Sequence, residues 1–287
     1  MSEITLSNLY TSMLKKLQAE YDLAEAEAIL NWLIEDMLLI KKHQIAMLNR
    51  NLSEAEIHRF DLVIGRLLKH EPLQYILGYA PFLNFRLKVN TSVLIPRPET
   101  EELALHAIDF LKALNHPNPQ VLDVGTGSGC LAIAVKKNVS GASVTAIDVS
   151  EEALQVAADN ALHLRADISF KHLDFLTDKT KLNSSLYHLI ISNPPYVRVS
   201  EAEHMRANVL HYEPATALFV PDTDALVFYR ELAQFGKTQL QPDGVIMAEL
   251  NQYLAHDTLE LFISQGYSRC ELLKDTNGHD RLIKAAR

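Results

Sequence analysis

Gln120–Val135, "QVLDVGTGSGCLAIAV", passes from a short apolar run through Gly125, Gly127 and Gly129 into a second apolar stretch. The spacing predicts a strand, a tight turn and the start of a helix. Glycine permits the sharp turn and lets a ligand approach backbone that a Cβ would shield. The pattern is GxGxG rather than the GxGxxG of dinucleotide folds, no GK[ST] follows for a phosphate loop, and Asp123 is foreign to the dinucleotide fingerprint.

Around this stretch, apolar runs of strand length alternate with helical patterns. "QVLDVG", "SVTAID", "DISFKHLD", "HLIISN" and "GVIMAEL" are the candidate strands. Between the second and third, "SEEALQVAADNALHL" reads as a helix with Ser150 as N-cap and Ala153, Leu154, Ala157, Ala158, Ala161 and Leu162 on one face. Such alternation implies crossovers and a mostly parallel sheet with helices on both sides. "YSRCELLKDTNGHDRLIKAA" reads as two strands joined through Asn277 and Gly278, so the sheet is expected to finish in an antiparallel hairpin.

The first eighty residues read as helices only. In "LSEAEIHRFDLVIGRLLKHEP", Ser53 and Glu56 have capping-box spacing, Leu52 and Ile57 that of a hydrophobic staple, and Ile57, Phe60, Ile64, Leu67 and Leu68 form one stripe that Pro72 should end. "EAEAILNWLIEDMLLIKK" is a second helical signal, with Trp32 in its core. Then "NFRLKVN" and "SVLIP", separated by Asn90, Thr91 and Ser92, suggest a hairpin. In "IPRPETEEL" the prolines and Glu99, Glu101 and Glu102 mark a helix start. The expected organisation is a helical domain at 1–80, a β-hairpin linker at 81–97 and an α/β domain at 98–287.

Composition narrows the partners. A net charge of −9 argues against a protein whose main task is gripping nucleic-acid phosphates. Cys130 and Cys270 have no metal-ligand spacing, there is no HExxH, no basic-then-apolar leader opens the chain, and no apolar run of membrane-spanning length is free of charge. A metal-free, cytoplasmic protein without a membrane partner is expected.

The ligand chemistry is carried by three strand ends. Asp148 ends the second strand 23 residues beyond Gly125, where a carboxylate can accept both ribose hydroxyl protons. With the turn Gly125, Thr126, Gly127, Ser128, Gly129, it suits a nucleoside ligand without pyrophosphate, such as S-adenosylmethionine. Asp174 could reach an adenine amino group and Phe175 cover the ring, although Phe175 also suits plain core. "NPPY" ends the fourth strand: the side-chain oxygen of Asn193 and the carbonyl of Pro194 are two acceptors at a bend stiffened by Pro195, suited to an NH2 group, and Tyr196 offers a flat face. The bland alternative is a rigid turn with Tyr196 on its rim.

With these residues assembled, the sequence resembles the HemK/PrmC family of peptide-chain release factor glutamine methyltransferases. The resemblance extends over nearly the whole chain through "LIPRPETEEL", "VLDVGTGSGC", "NPPYV", "HYEPATAL" and "DTNGHDR". It implies a Rossmann-like methyltransferase sheet, a substrate-recognising helical domain and methyl transfer from S-adenosylmethionine to the glutamine of a release factor's Gly-Gly-Gln motif. Gly125 to Gly129, Asp148, Phe175 and Asn193 would hold the cofactor, and Asn193 to Tyr196 the glutamine. Phe175 stands where that family often has tryptophan, and Asn251 where a glycine usually follows the acidic residue; no role is read for Glu249. "NPPY" is shared with adenine and cytosine amino methyltransferases of DNA, which leaves that activity, or non-catalytic cofactor binding, as alternatives.

Overall fold

The computed structural model describes residues 4–40, 50–182 and 186–287, and the chain separates into two compact units, Met1–Leu77 and Gly78–Arg287. Residues 1–3, where a leader would begin, and Lys41 and Lys42, to which the second helical signal was extended, lie outside the described residues. No described helix is long and apolar enough to cross a membrane.

The first unit contains α1 (Leu6–Leu17), α2 (Leu23–Leu38), α3 (Glu54–Leu67) and the short α4 (Leu73–Leu77). Ser53 and Glu56 form the expected reciprocal capping box at the start of α3. Phe60, Ile64 and Leu67 are buried with Leu6, Met13, Leu17, Leu30 and Leu33, while Ile57, Leu68 and Trp32 pack at the edge of this core. Pro72 does not end α3. The helix stops at Leu67, His70 turns the chain in the left-handed region at φ 63°, and Pro72 leads into α4 by accepting the N–H groups of Tyr75 and Ile76.

The second unit opens with a hairpin of β1 (Tyr79–Phe82) and β2 (Phe85–Lys88), closed by Leu83 and Asn84. This corrects the sequence expectation. "FRLK" pairs with the preceding "YAPF", and "SVLIP" is not a strand. The Ile95 N–H is directed at the carboxylate of Glu213, so it is not offered to a ladder. Next comes α5 (Pro98–Leu114), with Pro98 at its first position and Glu99 and Glu101 in its first turn. Glu101 and Glu102 also act as tethers, accepting the N–H groups of Leu83 and Thr276.

The remaining strands are β3 (Gln120–Val124), β4 (Ser143–Asp148), β5 (Ile168–His172), β6 (Tyr187–Ser192), the short pair β7 (Val197–Arg198) and β8 (Phe219–Val220), β9 (Leu240–Glu249), β10 (Arg269–Lys274) and β11 (Asp280–Ala286). The large sheet has the order β10-β11-β9-β6-β3-β4-β5. The five from β9 to β5 are parallel, and β11 runs antiparallel to both β9 and β10, as the terminal hairpin requires. The central strands are buried on both faces, which explains their continuous apolar runs. Val121, Leu189, Ile191, Val245 and Met247 face a core built with α5 and α6 (Cys130–Asn138). The intervening Leu122, Ile190, Ile246 and Ala248 face α10 (Val227–Gln239) and α11 (Ala255–Ser264) on the other side. Between these lie α7 (Glu151–Leu164), α8 (Phe175–Asp178) and α9 (Ala207–Tyr212).

Ser150 caps α7 as expected, but the buried face differs. Val156 and Asn160 lie inside with Ala153, Ala157 and Ala161, whereas Leu162 is exposed. Asn160 is accommodated because its side chain accepts from Lys88 N–H and donates to the carbonyls of Lys88 and Ser128.

Helix α10 sits close to the sheet because Gly236 has no side chain. A Cβ there would lie 2.3 Å from the Tyr267 hydroxyl and 2.6 Å from Cδ1 of Ile246, and that hydroxyl is fixed on the Ala233 carbonyl at 2.7 Å. Helix propensity favours alanine over glycine by about 1 kcal/mol, whereas overpacking a core costs about 1–3 kcal/mol. Gly236→Ala is therefore expected to lower the urea midpoint; an unchanged or raised midpoint would show that the helix has room to move.

Candidate active site

Strand order reverses between β3 and β6: the chain moves outward from β3 to β4 and β5, then returns to the opposite side of β3. Open α/β sheets bind ligands at the carboxyl ends of strands beside such a switch point. A cleft of about 1030 Å³, including its open mouth, lies there. Its lining brings together Gly125, Thr126, Gly127, Ser128, Asp148, Asp174, Phe175, Asn193, Pro194 and Pro195. Gly129 and Tyr196 stand outside that lining.

The glycine turn is shaped by backbone constraint and by a buried strut. Gly125, Gly127 and Gly129 have φ of 72°, 54° and 83°, the left-handed region that L side chains rarely adopt. A Cβ on Gly125 or Gly127 would meet open space, but one on Gly129 would lie 3.1 Å from that of Ala157, so the last glycine brings the turn against α7. The Ile147 carbonyl accepts both the Gly125 and Thr126 N–H groups. Beneath the turn, Asp123 Oδ2 accepts the Thr126 hydroxyl at 2.7 Å and the Ala132 N–H at 3.2 Å, while Oδ1 has no partner among the described residues. Burial pushes the Asp123 carboxyl up to about 7 against those two donors.

Asp148 receives the Gly127 N–H at 2.8 Å on one carboxylate oxygen and the Ser150 N–H at 3.0 Å on the other, locking it beside the turn. Burial raises its pKa and these donors oppose the rise. Each oxygen keeps acceptor capacity for a ligand. Asp174 is the N-cap of α8, accepting the Leu176 N–H at 2.9 Å. Phe175 combines both of its anticipated environments: it borders the cleft, yet it is only 5% exposed and meets Phe235 edge to face at 5.4 Å between centroids.

At the end of β6, Asn193 borders the cleft and donates from Nδ2 to the Thr100 hydroxyl at 3.0 Å. Thr100, in the first turn of α5, donates to Glu249 Oε2 at 2.7 Å. The Tyr196 hydroxyl donates to the other oxygen, Oε1, at 2.9 Å. Glu249, the last residue of β9 and 1% exposed, therefore ties together both ends of "NPPY". Burial drives its pKa upward, while the Thr100 and Tyr196 hydroxyls and the Arg281 charge act in the other direction.

Sequence reasoning assigned no part to Glu249, Thr100 or Arg281. The signal for Glu249 was a carboxylate closing the buried run "GVIMAEL" at the same sheet edge as Asn193. Thr100 was hidden in a segment legible only as a helix start. The turn at Asn251 needs no glycine: φ is −70°, Oδ1 accepts the Tyr253 N–H, and Nδ2 reaches the Tyr196 carbonyl. Glu213, from "HYEPATAL", receives Arg97 at 2.6 Å and the Ile95 N–H at 3.2 Å, fixing the 94–97 segment that borders the cleft.

Residues 107–219 match the methyltransferase small domain family, and residues 8–78 match the PrmC N-terminal domain family. The chain is 38% identical over 281 residues to a release factor glutamine methyltransferase of Flavobacterium psychrophilum, covering 97% of this chain and 98% of that protein. It is 40% identical over 274 residues to one of Bacteroides thetaiotaomicron, covering 95% and 97% respectively. Among solved structures, the Thermus thermophilus 16S rRNA N2 G1207 methyltransferase in complex with AdoMet and guanosine is similar in fold. Its TM-score is 0.50 at 17% identity, over 73% of this chain and 50% of that one.

Asp123 makes stability depend on pH. Its folded pKa of about 7 exceeds the ordinary value of 3.8, so its contribution is complete below the latter and is lost as pH rises through the former. Asp123→Asn supplies a neutral side chain of the same shape. The stability of this variant relative to the parent is expected to increase between about pH 4 and 8 in urea titrations; a difference independent of pH would contradict a neutral Asp123.

Proposed function

The chain belongs to the release factor glutamine methyltransferase family, and we propose that its cleft methylates the side-chain nitrogen of the glutamine in a release factor's Gly-Gly-Gln motif, using S-adenosylmethionine. The observation that carries this reading is Asn193: its Nδ2 is held by Thr100, and its Oδ1 accepts no hydrogen bond among the described residues. An acceptor held at the rim of a nucleoside-type cleft suits the N–H of a carboxamide. The Pro194 carbonyl supplies the second acceptor, and Tyr196 holds the bend through Glu249. The helical unit recognises the release factor.

The cleft suits the cofactor's charge. Its lining among the described residues includes Asp148 and Asp174 and no lysine or arginine, which favours a cationic nucleoside over a pyrophosphate. Gly125 to Ser128 present backbone at close range, with Gly129 setting the turn behind them, while Asp148 takes the ribose hydroxyls. Asp174 receives the adenine amine through the carboxylate oxygen not capping α8, and Phe175 covers the ring. When bound, S-adenosylmethionine supplies a methyl group already activated on a sulfonium.

The protein's own contribution is positioning. An amide nitrogen is delocalised to the extent reflected in a rotation barrier of about 18–20 kcal/mol, whereas a net hydrogen bond contributes about 1 kcal/mol. Two acceptors cannot abolish that resonance. They can orient the nitrogen and stabilise its N–H groups as positive charge develops, and orientation can supply as much as about 7–11 kcal/mol.

Radiolabelled methyl transfer to purified release factor, with a Gln→Ala variant of its Gly-Gly-Gln motif and duplex DNA in parallel, tests the activity; labelling of DNA alone would overturn it. Asn193→Ala is expected to remove turnover with cofactor affinity changed by no more than about threefold, since it orients the acceptor. Turnover near the parent's would refute that role. Asp148→Ala should weaken cofactor binding by about 1.5–3 kcal/mol, the range for hydrogen bonds to a charged group, and an unchanged calorimetric titration would exclude the ribose contact.

A further inference from the structure

We propose that Glu249 is a positioning residue that determines which atom of Asn193 faces the substrate, acting through the hydroxyl of Thr100. The inference rests on Asn193 as the acceptor for the glutamine amide and concerns how its polarity is set. The hydroxyls of Thr100 and Tyr196 each donate to one carboxylate oxygen of Glu249, so both hydroxyl protons point at it. The Thr100 hydroxyl has a single proton to donate. With it directed at Glu249, the hydroxyl can meet Asn193 only as an acceptor, and Nδ2 must turn toward it. Oδ1 is then the Asn193 atom left for the substrate.

A donor turned toward Thr100 from position 249 would reverse the sequence of bonds. The Thr100 hydroxyl would accept from it and donate to Asn193, whose amide would rotate by about half a turn to present Oδ1. An NH2 group would then face the substrate's own NH2. Burial pushes the Glu249 carboxyl upward and the negative charge of Glu99 on α5 adds to that rise, while the Thr100 and Tyr196 hydroxyls and the Arg281 charge on β11 act against it. Tyr229 on α10 donates to the Glu249 backbone carbonyl at 3.0 Å rather than to the side chain.

Arg281 is itself placed. Its Nε lies 3.2 Å from Oδ2 of Asp275, which is 1% exposed at its side chain, and its carbonyl accepts the Leu250 N–H at 2.8 Å. Oδ1 of Asp275 receives the N–H groups of Asn277 and His279. The "DTNGHDR" segment thus anchors a compensating cation while registering β11 beside the end of β9.

The test combines Glu249→Gln, Thr100→Val and Thr100→Ser with Asn193→Ala as reference. Methyl transfer to release factor gives kcat and KM, calorimetry gives cofactor affinity, and hydrogen exchange of the Asn193 side-chain amide, assigned by its loss in Asn193→Asp, reports the bond to Thr100. Glu249→Gln and Thr100→Val are expected to lower kcat about 100-fold with cofactor affinity within about threefold. Thr100→Val should accelerate amide exchange by about tenfold or more, and Thr100→Ser, which restores the hydroxyl, should recover most of kcat and the protection. If Asn193→Ala abolishes turnover but Thr100→Val retains both kcat and protection, the relay is overturned while the site reading stands. If Asn193→Ala is itself active, the site reading falls, and the relay with it.

Discussion

A carboxylate with no access to water sits at the end of β9, and the arrangement around it follows from what such a group requires. Desolvating an ion costs several kcal/mol even after relaxation, whereas each hydrogen bond to a charged group returns about 1.5–3 kcal/mol. The hydroxyls of Thr100 and Tyr196 and the Arg281 charge offset part of that cost, and burial still holds the Glu249 carboxyl above its ordinary value. Glu249 accepts from both hydroxyls, one on each oxygen, which gives each neighbour a defined polarity. Thr100 comes from α5, Tyr196 from the bend after β6 and Arg281 from β11, so three distant parts of the sequence converge on one group.

Topology makes that convergence possible. The reversal of strand order around β3 sets the glycine turn and the "NPPY" bend side by side, one after each of two paired parallel strands. Two buried aspartyl and glutamyl side chains then divide the work. Burial pushes both carboxyls upward; Asp123 supports the turn through Thr126 and Ala132, and Glu249 orients the bend through the Thr100 and Tyr196 hydroxyls. The same strand edge thus carries both the region proposed for the nucleoside and the region proposed for the carboxamide.

Much of this was legible in the residues because it depends on local rules. The glycines need left-handed φ, Ser53 and Ser150 cap helices through hydroxyls at fixed spacing, and strands buried on both faces read as unbroken apolar runs. The misreadings have a different origin. "SVLIP" has strand composition, but Glu213, 118 residues away, takes its Ile95 N–H. Leu162 fits an apolar helix face by spacing, yet Asn160 lies inside because backbone groups of Lys88 and Ser128 satisfy it. The roles of Thr100, Glu249 and Arg281 are relations between segments about 150 or more residues from the first, which no local pattern encodes.

The proposed chemistry turns on Asn193 offering oxygen, not nitrogen, to the substrate. A ternary crystal structure with S-adenosylhomocysteine and release factor measures this most directly. The glutamine nitrogen should lie about 3 Å from both Asn193 Oδ1 and the Pro194 carbonyl, with Nδ2 still on Thr100. A glutamine bound elsewhere, or an Asn193 amide whose Nδ2 has left Thr100 to face the glutamine, would refute that polarity.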